Sequence, residues 1–245
     1  MLLDVARITC FCFCKIDLLK VYLRDMADNY LEKRFEEFEK PRAKTVRKGG
    51  PSLDTLLVRN RSTRGFSHGR IPSEEELRQI VAVNTRIASS KNQQALRFKL
   101  VTGPEDVAFV NENFLMGALF RARKEPSNPD CPSLPLPGTE PQAFIIVYGT
   151  HPEDASLDID LGISLQSMSL KAVELGFNCL MIRAFKREAM LAFSGTEGLF
   201  PLALLAVGKS AEKIFLDPVE GGSLDYFRRD GIHYVPKLNI EKLLL

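Results

Sequence analysis

Two arginines and a hydroxyl stand within four residues in Arg61-Ser62-Thr63-Arg64. Guanidinium groups at that spacing, beside a serine, can offer bidentate, charge-assisted hydrogen bonds to a phosphate dianion. The same residues also read as a solvated basic turn. A second polar run, Ala88-Ser89-Ser90-Lys91-Asn92-Gln93-Gln94, follows. Its Asn92 and Gln94 both donate and accept, as the edge of a heteroaromatic ring requires, although such a run also serves simply to end a helix. Other reactive types are less well placed. Cys10, Cys12 and Cys14 alternate without a second Cys or His pair, which argues against a metal site. His68, His151 and His233 are scattered, and none lies beside a Ser or Cys in a hydrolase pattern. His233-Tyr234-Val235-Pro236-Lys237 can reach back towards a phosphate or a partner subunit, or be a packed terminal arm. No glycine-rich dinucleotide fingerprint or P-loop is present.

These groups need elements to hold them. A short helix over Leu53 to Arg59 would deliver the first motif. A capping box follows, with Pro72, then Ser73 and Glu76, then Leu77, Ile80, Val81 and Ile87 on one face. The polar run then leads into an alternating strand, Phe98 to Thr102, and a helical segment from about Pro104 to Arg123. Six prolines between Pro126 and Pro141 exclude helix and central strand and imply a surface loop or lid. Ala143 to Tyr148 is continuously apolar, as in a strand covered on both faces. From Asp158 to Glu174, Ile159, Gly162, Ile163, Gln166, Ser167, Leu170 and Val173 share one helical face. So many small residues there suggest a close helix contact, across a dimer axis for instance. A strand at Cys179 to Ile182, a helix at Lys186 to Phe193 and a strand at Leu202 to Val207 complete the core. Helices alternate with strands without a dominant βαβ repeat, so the expected class is α+β, or mixed α/β.

The bulk numbers fit one catalytic domain with an extension, divided here into residues 1–50 and 51–245. A 245-residue chain with 45% apolar and 26% charged residues can bury one substantial core. With 33 Lys and Arg against 31 Asp and Glu, it lacks the basic field that would concentrate nucleic acid. Within the extension, residues 16–40 have the pattern of an amphipathic helix, and Arg42 to Lys48 with Gly49, Gly50 and Pro51 read as a basic linker. Met26 offers an alternative start, on which reading residues 1–25 are not native. The apolar run Ile8 to Cys14 has no basic region before it and is cut by Lys15 and Asp17, so neither a signal peptide nor a membrane anchor is expected. Five cysteines, an odd number, favour a reducing, cytoplasmic setting.

Taken together and in order, Arg61-Ser62-x-Arg64 and Ser89-Ser90-x-Asn92-x-Gln94 resemble the paired motifs of the nitroreductase-like FMN-dependent flavoproteins. Asp160-Leu161-Gly162-Ile163-Ser164-Leu165-Gln166-Ser167-Met168 is similar to that family's central dimer helix, and Leu175-Gly176-Phe177-Asn178 to its end. Pro201 to Lys209 is similar to its late strand. The resemblance spans about residues 53–237. It implies a central, mostly antiparallel sheet flanked by helices, an intertwined homodimer, and FMN held non-covalently at the subunit interface. By the same resemblance Arg61, Ser62 and Arg64 would hold the phosphate and ribityl chain, Asn92 the ribityl or pyrimidine side, and Gln94 would support it. Met181, Ile182 and Arg183 would lie along the ring with a backbone N–H near flavin N5, and Lys209 would be a second phosphate cation. The implied activity is ping-pong reduction of nitroaromatics, quinones or similar electron-poor acceptors by NADPH or NADH, with the flavin carrying the chemistry. A non-catalytic FMN-binding or storage protein, or a dimeric partner module, is the alternative. Asn60, Ala88, Ala95 and Leu96 depart from the family's usual Arg, two prolines and Trp, and they bear on the substrate pocket.

Overall fold

The computed structural model describes residues 49–114 and 138–245, and every described helix and strand belongs to the unit Pro51–Leu245. The expected amphipathic helix, basic stretch and alternative start, most of the proline-rich loop, and the helical segment beyond residue 114 lie outside the described residues.

Helix α1, Leu53–Arg59, starts where the Ser52 hydroxyl accepts the N–H of Thr55. Strand β1 is Phe66–Ser67. Helix α2, Glu74–Val81, carries the full capping box: the N–H of Glu76 donates to Ser73 Oγ, and Glu76 Oε2 accepts the N–H of Ser73. It turns 3-10 over Ala82–Thr85, so Ile87 falls outside the helix it was expected to join. Strand β2 spans Leu96–Val101 and helix α3 Pro104–Asn113. Strand β3, Phe144–Gly149, is buried at every residue. Helix α4, Ala155–Glu174, begins a few residues before its expected start because Asp154 caps it, accepting the N–H of Leu157. Strand β4 is Asn178–Ile182, helix α5 Arg187–Ser194 and strand β5 Phe200–Ser210.

The main sheet runs β1-β5-β3-β2, with β4 also paired to β5, and all its pairings are antiparallel. The period of two along β3 sends Ile145 and Val147 into one core with Leu77, Leu161 and Met168 of α2 and α4. Phe144, Ile146 and Tyr148 enter the other core with Val107 and Val110 of α3 and Met190 of α5. A strand between two helical layers must be apolar throughout, which accounts for the run at 144–148. Gly208 admits β1 to β5: a Cβ there would stand 2.8 Å from the Phe66 ring.

The face of α4 expected to make a close helix contact is open within the single chain: Ile159 is 64% exposed and Ile163 37%, while Leu157, Leu161, Leu165, Met168 and Ala172 are buried. One feature does differ from expectation. A three-stranded sheet follows β5, where no strand was expected. Its strands are β6 (Lys213–Val219), β7 (Phe227–Arg229) and β8 (Ile232–Leu238), in the order β6-β8-β7, with β6 and β8 parallel.

Candidate functional site

The segment after α1 is fixed on two sides. The N–H of Thr63 donates to the Cys179 carbonyl of β4 at 3.1 Å, and Asn178 Nδ2 donates to the carbonyl of Arg59. From the other side Glu212, between β5 and β6, accepts the N–H groups of Arg64 and Gly65 on one carboxylate oxygen. Its second oxygen pairs with Arg228 of β7. Burial opposes ionisation of Glu212, but the Arg64 N–H and the Arg228 guanidinium more than offset it, holding the carboxyl below its ordinary range. Glu212 therefore neutralises Arg228 and shapes the loop, and the side chains of Arg61 and Arg64 remain available.

Both arginines line a cleft of about 360 Å³ with Ser62, Gln166 of α4, Met181 of β4, Tyr226, and His233, Val235 and Lys237 of β8. That volume is in the range of small-molecule sites. Arg61 Nη2 donates to the Leu57 carbonyl, while its Nε is buried without a partner. Burial lowers the Arg61 pKa from its ordinary value, as expected of a cation with no counter-ion to offset lost hydration. The Arg64 guanidinium lies 4.8 Å over the Tyr226 ring. Neither arginine forms an ion pair among the described residues. Two guanidiniums, a lysine and a serine hydroxyl around one cleft, with an orphaned N–H, form a donor set suited to a phosphate monoester.

Of the candidate residues, the structure brings Arg61, Ser62, Arg64 and Met181 together. Ile182 follows on β4 with its side chain buried. Arg183 turns to Glu153 and Asp158, pairing with both. Lys209 is exposed on β5 opposite Ser67 and does not line the cleft. Asn92 and Gln94 also lie elsewhere, exposed, with Gln94 Nε2 donating to Asn92 Oδ1 at 3.2 Å. Gln94 borders a broader cleft of about 1120 Å³ beside α2, β2 and Asp160.

The segment carrying these amides is tightly built. Lys91, Asn92 and Gln94 all have positive φ, 50°, 54° and 49°, a region that side chains other than glycine rarely enter. Asp160 of α4 holds it by accepting the N–H of Ser90 at 2.7 Å, and Ser89 Oγ accepts the N–H of Gln94. These hydrogen bonds hold the uncommon backbone conformation in place. It presents both amides outward.

Glu212, Arg228 and Tyr226 had no signal in the sequence; each acts through a contact between distant segments. His233 and Lys237 belonged to the pattern near the end of the chain, and β8 delivers both to the arginine cleft.

Residues 57–209 match the family model described as the nitroreductase family. No curated protein matches the chain. Among solved structures, the chain is similar to the FMN and NADPH-dependent nitroreductase NfnB from Sphigopyxis sp., at 18% identity and TM-score 0.51, covering 66% of this chain and 89% of that one. A putative nitroreductase in complex with FMN from Exiguobacterium sibiricum has 18% identity and TM-score 0.52, covering 66% and 90%. A nitroreductase family protein from Streptococcus pneumoniae has 11% identity and TM-score 0.55, covering 79% and 99%. At these identities the likeness is one of fold.

Proposed function

Because the chain belongs to the nitroreductase family, we propose that it is an FMN-dependent oxidoreductase that uses NADPH or NADH to reduce electron-poor acceptors such as nitroaromatics and quinones. The observation that carries this reading is the pair of arginines sharing one cleft without acidic partners among the described residues, one of them with a buried Nε that has no hydrogen-bond partner there. Two similar structures are named for FMN, one bound to it and one dependent on it.

In this reading Arg61 and Arg64 grip the phosphate, and Ser62 and Lys237 add donors. Bound there, FMN would supply the redox chemistry between the nicotinamide and the acceptor. The protein needs no acid–base dyad of its own for this. Met181, Ile182 and Arg183 would lie along the ring; the ion pairs of Arg183 with Glu153 and Asp158 keep its guanidinium occupied, so the segment would offer the ring a backbone N–H. Lys209, exposed beyond the cleft, remains a second cation only for a phosphate approached from outside it.

The site is proposed to form between two copies of the chain. The open face of α4 includes Gln166, which also lines the arginine cleft, so a partner seated on that face adjoins the cleft. Asn92 and Gln94, outward on their strained segment, are then the amides that one copy offers to the other's cofactor. Among the described residues no helix is long and apolar enough to cross a membrane; the proposed setting is the cytoplasm.

Purified protein should be yellow, hold about one FMN per chain, and bleach when NADPH or NADH is added without oxygen. A colourless protein that takes up no added FMN overturns the reading. One that binds FMN and stays oxidised is a flavin-binding module instead.

A further inference from the structure

His233 stands near the start of β8 with 2% of its surface exposed, and it lines the arginine cleft. Neither ring nitrogen has a hydrogen-bond partner among the described residues. A buried donor and acceptor left unpaired in this way are rare and call for a partner. The Tyr226 ring meets the imidazole edge-on at 5.1 Å and fixes its place. The charged groups around it come from four segments: Arg61 and Arg64 after α1, Glu212 before β6, Arg228 on β7, and Lys237 on β8 itself. Burial, then Arg228 and Arg64, drive the proton off, and Glu212 opposes them only in part; the imidazole is pushed down to about 4 and is neutral when the cleft holds no anion.

Resting on the phosphate-site reading above, we propose that His233 is a proton-linked ligand of that site. A bound dianion accepts a hydrogen bond from one ring nitrogen and counters the field of Arg64 and Arg228. The other nitrogen takes a proton from water, so the anion and the proton enter together. No bond to phosphorus forms or breaks. The effect is that affinity for a dianion rises as pH falls, over the interval between the imidazole pKa without anion and its raised value with anion; for a phosphate monoester the rise ends at about pH 6, where the free phosphate takes up a proton itself.

Sulfate is the discriminating probe, since it remains a dianion from pH 5 to 8 and any proton taken up must go to the protein. Calorimetry of sulfate binding to the whole protein, in buffers of different protonation enthalpy, reads that uptake directly. FMN affinity is measured alongside by fluorescence quenching. The expected result is net proton uptake by the wild type, with sulfate binding at least fivefold tighter at pH 5 than at pH 7.5. In H233N the uptake is lost and the pH dependence flattens. Wild-type binding of FMN and sulfate that is flat with pH, without proton uptake, overturns the role of His233 alone. A wild type that binds neither ligand overturns the phosphate-site reading, and this proposal with it.

Discussion

Glu212 accepts the backbone N–H of Arg64 across 148 residues of sequence. The same carboxylate pairs with Arg228, so the loop bearing both cleft arginines is fastened to the second sheet through one side chain. E212Q leaves Arg228 unpaired in a half-buried position and weakens the acceptor for two backbone donors. The expected cost is about 2–4 kcal/mol of stability. Urea unfolding would measure it, together with weaker FMN uptake as the loop relaxes. A change under 0.5 kcal/mol would show that the loop is held elsewhere.

Acid should destabilise the ligand-free protein earlier than carboxylate titration alone predicts. The His233 pKa is depressed to about 4 in the folded chain from an ordinary 6.5, so between those values the unfolded state binds the extra proton and stability falls as pH falls. The slope from this group approaches about 1.4 kcal/mol per pH unit at most. Glu212, whose pKa is also lowered, adds its own loss only below its ordinary value of 4.5. Replacing His233 by Asn should flatten the stability profile between pH 6.5 and 4.5 and leave most of the Glu212 part, which Arg64 and Arg228 dominate.

Cys179 should be inert in the native protein. The residue is 3% exposed, and burial pushes its thiol pKa up to about 12, which leaves a negligible thiolate fraction at neutral pH. Alkylation at pH 8 followed by peptide mapping should label Cys179 only after denaturation. Native labelling would mean that β4 opens readily at the cleft.

S73A should remove the capping box of α2 and cost about 1 kcal/mol, read as a lowered Tm, with FMN affinity unchanged because α2 does not line the arginine cleft.

What the sequence revealed, and what it hid, follows from the range of each interaction. The Ser73–Glu76 box and the apolar strand at Phe144–Tyr148 are local or doubly buried patterns, and both stand where expected. The arginine motif was visible because four adjacent residues carry it. Helix α4 offered apolar or small residues on both faces, so periodicity alone could not say which packs inward. Leu161, Leu165 and Met168 do, and Ile159 and Ile163 remain open. Strands β6 to β8 escaped notice because they are short, charged and interrupted by Pro218 and Pro236. The positive φ angles at Lys91, Asn92 and Gln94 had no glycine to announce them; hydrogen bonds to Asp160 and Ser89 maintain that segment. Glu212 could not be assigned because its partners are distant in the chain.

The central claim is that Arg61 and Arg64 together hold the phosphate of a flavin nucleotide. Its most direct test is a titration of FMN, with riboflavin in parallel, into wild-type protein and into R61A and R64A, followed by quenching of flavin fluorescence. About one FMN per chain is expected in the wild type, with much weaker riboflavin binding. Each substitution should cost roughly 10- to 100-fold in FMN affinity, the range for a charge-assisted hydrogen bond lost, with little effect on riboflavin. Equal affinity for the two flavins in wild type and variants alike would contradict it.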